Sequence, residues 1–160
     1  ARSRLMQERK SWRKDHPVGF YARPVSCSSG STNLFQWQAG IPGKEGTDFE
    51  GGCFVVQLDF PAEYPAVAPT CRFTPPLFHP NVYESGQVCL SIISHDWKPS
   101  INVPQILRGI QDLLDQPNPN SPANLKANEM FLRNKAQYRK KMKEQAKQFA
   151  AVNNDDDDDE

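Results

Sequence analysis

The chain has 160 residues, enough for one hydrophobic core and short for two. Apolar residues make up 38% and charged residues 24%. Its longest apolar runs, such as Cys53 to Val56, fall far short of the roughly 20 residues a membrane-crossing helix needs, which excludes a helical span. The formal net charge of zero conceals a division, because Asp155 to Glu160 hold six of the 19 acidic residues and leave a basic body. The first sixteen residues carry Arg2, Arg4, Arg9, Lys10, Arg13 and Lys14 against only Glu8 and Asp15, a patch that calls for an anionic partner or a solvated helix face. No apolar stretch follows these charges, so no secretory signal is expected.

The opening stretch lacks Gly and Pro up to Pro17, which predicts a helix capped by Ser3, anchored by Leu5 and Trp12 and ending near Lys14. Short runs rich in aromatic and β-branched residues follow: Phe20 to Pro24, Leu34 to Ile41, Cys53 to Phe60 and Thr70 to Thr74. Turn formers separate them, so four sequential strands in an antiparallel meander are expected. In the third run Phe54, Val56, Leu58 and Phe60 alternate with Val55, Gln57 and Asp59, which gives it one buried face. Residues 75 to 101 show no periodicity and hold four prolines, and a loop that long in a small domain is usually functional.

Beyond it, Ile106, Leu107, Ile110, Leu113 and Leu114 form the apolar stripe of a helix from about Val103 to Asp115, with Asn102 as its cap and Pro104 in its first turn. Ser121-Pro122 reads as an N-cap launching a third helix toward Asn134, and Lys135 to Phe149 as a fourth. The order is α+β. Residues 1–150 form the expected domain, and 151–160 an acidic tail too poor in apolar groups to pack.

Cys27, Cys53, Cys71 and Cys89 contain no CxxC pair, so neither a zinc knuckle nor a disulfide scaffold is indicated, and free thiols are expected. The long loop concentrates the chemistry: His79-Pro80-Asn81-Val82-Tyr83, then Cys89 eight residues after Asn81, then Trp97-Lys98-Pro99, with Tyr64-Pro65 upstream. These residues closely resemble the catalytic region of ubiquitin-conjugating (UBC) enzymes, over residues 3 to about 150. Arg9 to Pro17, Gly19-Phe20, Ile41 to Thr47 and Pro75 to Tyr83 resemble the SUMO-conjugating branch in particular.

The resemblance implies a UBC fold, a four-stranded antiparallel sheet flanked by helices, and a carrier that needs no metal or organic cofactor. It makes Cys89 the nucleophile that holds a modifier as a thioester, Asn81 the amide that steadies a loop and the oxyanion, and Tyr83 and Ser121 the residues flanking an incoming lysine. Thr70, Arg72, Ser85, Gln87, Pro122 and Ala123 would contact a substrate presenting an aliphatic-Lys-x-acidic sequence. Arg9, Lys10, Arg13, Lys14 and His16 would meet the activating enzyme and a second, noncovalent SUMO, with SUMO ligases as further partners, in nucleus and cytoplasm. No aromatic-basic interleaving or reader motif supports nucleic-acid binding, and no membrane partner is implied.

Each residue also has a plainer reading. Cys89 fits a buried small hydrophobe, Asn81 a loop hydrogen bonder, Ser121 an N-cap, and His79 a packed structural histidine rather than half of a Cys-His dyad. The chain departs from the SUMO-type pattern at Ser121, where Asp is common, at Gln87 and Thr70, which replace a frequent Thr and Lys, and in a stretch after Ser91 two residues shorter. A ubiquitin carrier and a noncatalytic UBC-like binding module remain as alternatives.

Overall fold

The computed structural model describes residues 1–150; the acidic tail predicted at 151–160 lies outside the described residues. The chain runs through α1 (Arg2–Lys14), β1 (Tyr21–Ser26), β2 (Thr32–Pro42), β3 (Cys53–Asp59), β4 (Thr70–Phe73), a 3-10 turn at Ser91–Ile93, α2 (Val103–Asp115), α3 (Leu125–Arg133) and α4 (Lys135–Gln148). The four strands form one antiparallel sheet in sequential order, the expected meander. Register follows the hydrophobic alternation: Ala39 faces Val56, Trp37 faces Leu58 and Ile41 faces Phe54, so the buried residues of neighbouring strands share one side. On that side α2 lays down Val103, Ile106, Leu107, Ile110, Leu113 and Leu114, all buried, and α1 adds Leu5 and Trp12. No helix among the described residues is long and apolar enough to cross a membrane.

Local chemistry explains most boundaries. The α2 start is a reciprocal cap: Asn102 Oδ1 accepts from Gln105 N–H, and Gln105 Oε1 accepts from Asn102 N–H, both at 3.0 Å. Two predicted starts shift. Ser3 does not cap α1, because the Ala1 carbonyl already accepts from Leu5 N–H at 3.0 Å, placing Ser3 inside the helix. Ser121 does not cap α3 either: Asn124 does, accepting from Ala127 N–H at 3.0 Å, and 121–124 stay outside the helix, with the N–H groups of Ala123 and Asn124 donating to Pro80 O. Strand β1 runs on to Ser26 past Pro24, which an edge strand tolerates, with a register shift between Pro24 and Val25.

One buried carboxylate ties the layers together. Glu8 of α1 accepts from Val103 N–H, the first residue of α2, at 3.0 Å, and from the Tyr64 hydroxyl. Burial, then the Glu8 contact, raise the Tyr64 phenol well above its ordinary range. From the same helix Arg4 donates to the carbonyls of Pro99 at 2.8 Å and Ile101 at 3.0 Å, fixing the end of the long loop. Gly109, the one glycine in α2, packs close to the 3-10 turn: a Cβ there would come within 2.6 Å of Ile92 Cδ1 and require that side chain to shift.

Candidate active site

The segment carrying Cys89 is built on the main chain. Residues 82–88 fold into a tight hairpin, with Tyr83 N–H donating to Gln87 O at 3.0 Å and Gly86 N–H to Tyr83 O at 2.8 Å. Gly86 has φ +94°, and a Cβ there would meet Phe73 O at 2.3 Å, so glycine is required on both counts. The hairpin is laid against β4: Phe73 N–H donates to Gly86 O at 2.8 Å, Val88 N–H to Cys71 O at 2.9 Å, and Arg72 bridges Gln87. Cys89 N–H then donates to Asn81 O at 2.9 Å, which leaves the Cys89 thiol half-buried and unbonded to another cysteine.

Cys89 opens into a cleft of about 500 Å³ that it shares with Tyr83, Gln87 and Thr70, walled by Val67, Leu90, Ile93 and Trp97. Trp97 is held in that wall by its Nε1–H, which donates to Pro65 O at 2.9 Å. No Asp, Glu, Lys, Arg or His lines the cleft. An amine entering it leaves water for neutral surroundings, which favours its uncharged, nucleophilic form.

Asn81 is fully buried, and every hydrogen-bonding group of its side chain is engaged. Nδ2 donates to Asn118 O at 2.8 Å and Ser121 O at 2.9 Å, while Oδ1 accepts from Asn118 N–H at 2.8 Å. The amide therefore clamps the 118–121 loop; contact with an oxyanion requires exchanging one of these bonds. His79 lies beneath it, fully buried, its Nδ1 accepting from Asn81 N–H at 3.0 Å. That fixes the proton on Nε2, which donates to Leu113 O at 2.9 Å and Leu114 O at 3.1 Å. Burial pushes His79 down to about 4, so it is a neutral packed histidine with both nitrogens occupied, and not a base for Cys89.

The remaining predicted residues fall into three places. Ser121 and Pro122 are exposed on the clamped loop, with Ala123 held by its N–H to Pro80 O at 2.7 Å; since Asn124 is the cap, Ser121 no longer has a capping duty to explain it. Ser85 is exposed in the hairpin, where its Oγ accepts from Gln87 N–H at 3.3 Å, and Arg72 is half-buried on β4 beside exposed Thr70. Arg9, Lys10, Arg13, Lys14 and His16 form a separate surface on and just after α1. Burial and then the Arg13 cation lower Arg9, and His16 stacks on Trp12 with ring centroids 4.9 Å apart.

Sequence reasoning missed Asn118, Glu8 and the Pro80 carbonyl, whose partners lie tens of residues away. Of the other thiols, Cys71 is buried, and burial followed by the Asp59 charge raises it far above its usual range; Cys53 is half-buried and Cys27 exposed. Among the described residues, no three His, Cys, Asp or Glu side chains are grouped to hold a metal ion.

The sequence profile of the family described as ubiquitin-conjugating enzyme matches residues 4–146. Three relatives match most of the chain. The SUMO-conjugating enzyme UBC9 of Caenorhabditis elegans is 50% identical over 153 residues, covering 94% of this chain and 92% of its own. The Sumo-conjugating enzyme ubc9 of Dictyostelium discoideum is 53% identical over 147 residues, with 91% and 92% covered. The SUMO-conjugating enzyme SCE1 of Arabidopsis thaliana is 51% identical over 154 residues, with 95% and 96% covered. With the helix, four-strand meander, long loop and helices all in the expected order, the chain belongs to the ubiquitin-conjugating enzyme family.

Proposed function

We propose that the chain is a SUMO-conjugating carrier enzyme. The Cys89 thiolate attacks the activated C-terminal carbonyl of SUMO on the activating enzyme: the S–C bond of the thioester forms, the bond that held that carbonyl to the activating enzyme breaks, and the leaving group stays with that enzyme. A substrate lysine amine then attacks that carbonyl: the N–C bond forms, the C–S bond breaks, the amine loses its proton, and Cys89 leaves as thiolate with an isopeptide bond made. Sulfur suits both halves, being nucleophilic near neutral pH and a good leaving group.

The observation that carries the reading is a half-buried free thiol in a cleft walled by neutral side chains, with the nearby histidine locked away from it. A hydrolase working through a cysteine needs a base there, whereas a carrier needs a dry path for an amine. The three relatives named for SUMO conjugation, each about half identical to this chain, favour SUMO over ubiquitin as the cargo.

In this reading Asn81 keeps the 118–121 loop in place, Tyr83 and Ser121 flank the lysine, and Pro122 and Ala123 border its approach. Thr70, Arg72, Ser85 and Gln87 read the residues after it, with Arg72 favouring an acid two positions on. Arg9, Lys10, Arg13, Lys14 and His16 dock the activating enzyme and a noncovalent SUMO; SUMO ligases bind the charged carrier, in nucleus and cytoplasm. The test is to incubate the chain with activating enzyme, ATP and either modifier. A reductant-labile adduct with SUMO is expected, replaced by a reductant-resistant oxyester in Cys89→Ser; an adduct with ubiquitin alone, or a labile adduct in Cys89→Ser, overturns the reading.

A further inference from the structure

Helix α4 carries Lys135, Arg139, Lys140, Lys141, Lys143 and Lys147 against a single acid, Glu144. Its inward side is taken up by Tyr138, Met142, Gln145 and Ala146, all buried, so the cations stand in solvent. Some are partly satisfied: Arg139 donates to both oxygens of Asp48 at 3.1 and 3.3 Å, and Lys143 lies 3.9 Å from the same carboxylate. Lys135 sits over the Phe131 ring and Lys141 over Phe78. Lys140 and Lys147 form no ion pair among the described residues. Arg139, Lys140, Lys143, Glu144 and Lys147 line an open trough of about 470 Å³. One carboxylate thus answers two cations, and the uncompensated charge is concentrated on successive turns of one face.

The chain itself supplies the complementary charge. The end of α4 is pinned, since Cys53 N–H donates to Phe149 O at 2.6 Å and Ala150 bridges Gly52. From there Ala151-Val152-Asn153-Asn154 leads to Asp155–Glu160, six consecutive acids. At about 1.5 Å per helical residue, Lys147 lies roughly 4 Å and Lys140 roughly 15 Å back along the axis from Ala150. Five extended residues reach up to about 17 Å, so the linker is long enough to double back and bring the acids along the whole trough. Each exposed contact is weak on its own, but tethering by a short linker holds the acids at an effective concentration of roughly millimolar.

We propose that the basic face of α4 is a docking surface for an acidic peptide segment, and that its occupant is Asp155–Glu160 of the same chain. The contact is intramolecular and salt-sensitive, and it withholds the α4 cations from other anions at low ionic strength.

Zero-length carbodiimide cross-linking of the full chain, read by mass spectrometry on a mixture of isotopically light and heavy protein, tests this directly. At about 0.01 M salt, where screening reaches about 30 Å, carboxylates of 155–160 should couple to Lys140, Lys143 and Lys147 within one chain. These links should exceed those to Lys10 and Lys14 about fivefold or more, and vanish at about 0.5 M salt. Links scattered evenly over exposed lysines, or formed between chains, overturn the proposal. A second readout needs no chemistry: truncation after Ala150 should shift the backbone amide resonances of residues 136–147 at low salt and not at high salt. Resonances that stay put, or shifts confined to α1, refute it.

Discussion

Replacing Asn81 with alanine removes three hydrogen bonds at once, to Asn118 O, Asn118 N–H and Ser121 O. A net contribution of about 1 kcal/mol each sets the scale, and because Asn118 and Ser121 are otherwise exposed, water replaces part of the loss, leaving about 2 to 3 kcal/mol. For a domain of this size that lowers the midpoint of thermal unfolding by roughly 4 to 12 °C. Charging should survive, because Cys89 is anchored to the Asn81 main-chain carbonyl, which alanine keeps. Discharge to lysine should slow, because the loop bearing Ser121 has lost its clamp. Asn81→Asp sharpens the test: it keeps an acceptor for Asn118 N–H but turns a carboxylate toward two carbonyls, so it should be no better than alanine. Single-turnover charging and discharge, run beside denaturation curves, measure all of this. An Asn81→Ala protein with the parent's midpoint and discharge rate, or an Asn81→Asp protein that outperforms it, refutes the clamp.

Three further expectations rest on separate parts of the molecule. His79 is held neutral down to about pH 4, whereas in the unfolded chain it takes a proton near pH 6.5. The unfolded state therefore binds more protons between those values, so this contribution is intact above pH 6.5 and about 3 kcal/mol of it is lost as pH falls to 4. Urea midpoints across that window should fall less steeply for His79→Gln than for the parent; parallel curves sink the assignment. Glu8→Ala strands Val103 N–H and the Tyr64 hydroxyl without their acceptor and should cost about 2 to 4 kcal/mol in chemical denaturation, with Glu8→Gln milder because one acceptor oxygen remains. Equal losses in the two variants contradict this account. Arg72→Glu should narrow the difference in rate between peptides with an acid and with alanine two residues after the lysine, and an unchanged ratio removes Arg72 from substrate reading.

What was legible in the sequence was whatever short-range rules control. Helix α2 matches its expected bounds because a cap, a first-turn proline and an apolar stripe agree within thirteen residues. The meander was legible because turn formers punctuate alternating runs. At α3 two cap-like residues, Ser121 and Asn124, stand three apart, and the choice is made by the distant Pro80 carbonyl, which captures the N–H groups of Ala123 and Asn124. The loop-steadying role of Asn81 was expected, but the same limit hid its partners: they are main-chain groups 37 and 40 residues downstream, and a carbonyl leaves no signature in residue type. Glu8 was counted as surface charge because nothing local says that a helix N-terminus and a phenol will converge on it. His79 was legible as structural from its neighbours Phe78 and Pro80, and its two occupied nitrogens agree.

The hairpin of residues 82–88 has a bearing on how such a site can diversify. Strand β4 would otherwise offer a row of open main-chain groups to any passing chain. Gly86 and Val88 close that row from the outside, so the depth and direction of the following cysteine are dictated by the sheet's own ladder. Glu84, Ser85 and Gln87 are exposed, and what Gln87 gives the seal it gives through its main chain, with Ser85 Oγ bracing the turn, while Gly86 is bound by its backbone angle and its contact with Phe73. Side-chain identity and thiol position are thereby separated: the exposed side chains around the thiol can change while the thiol itself does not move.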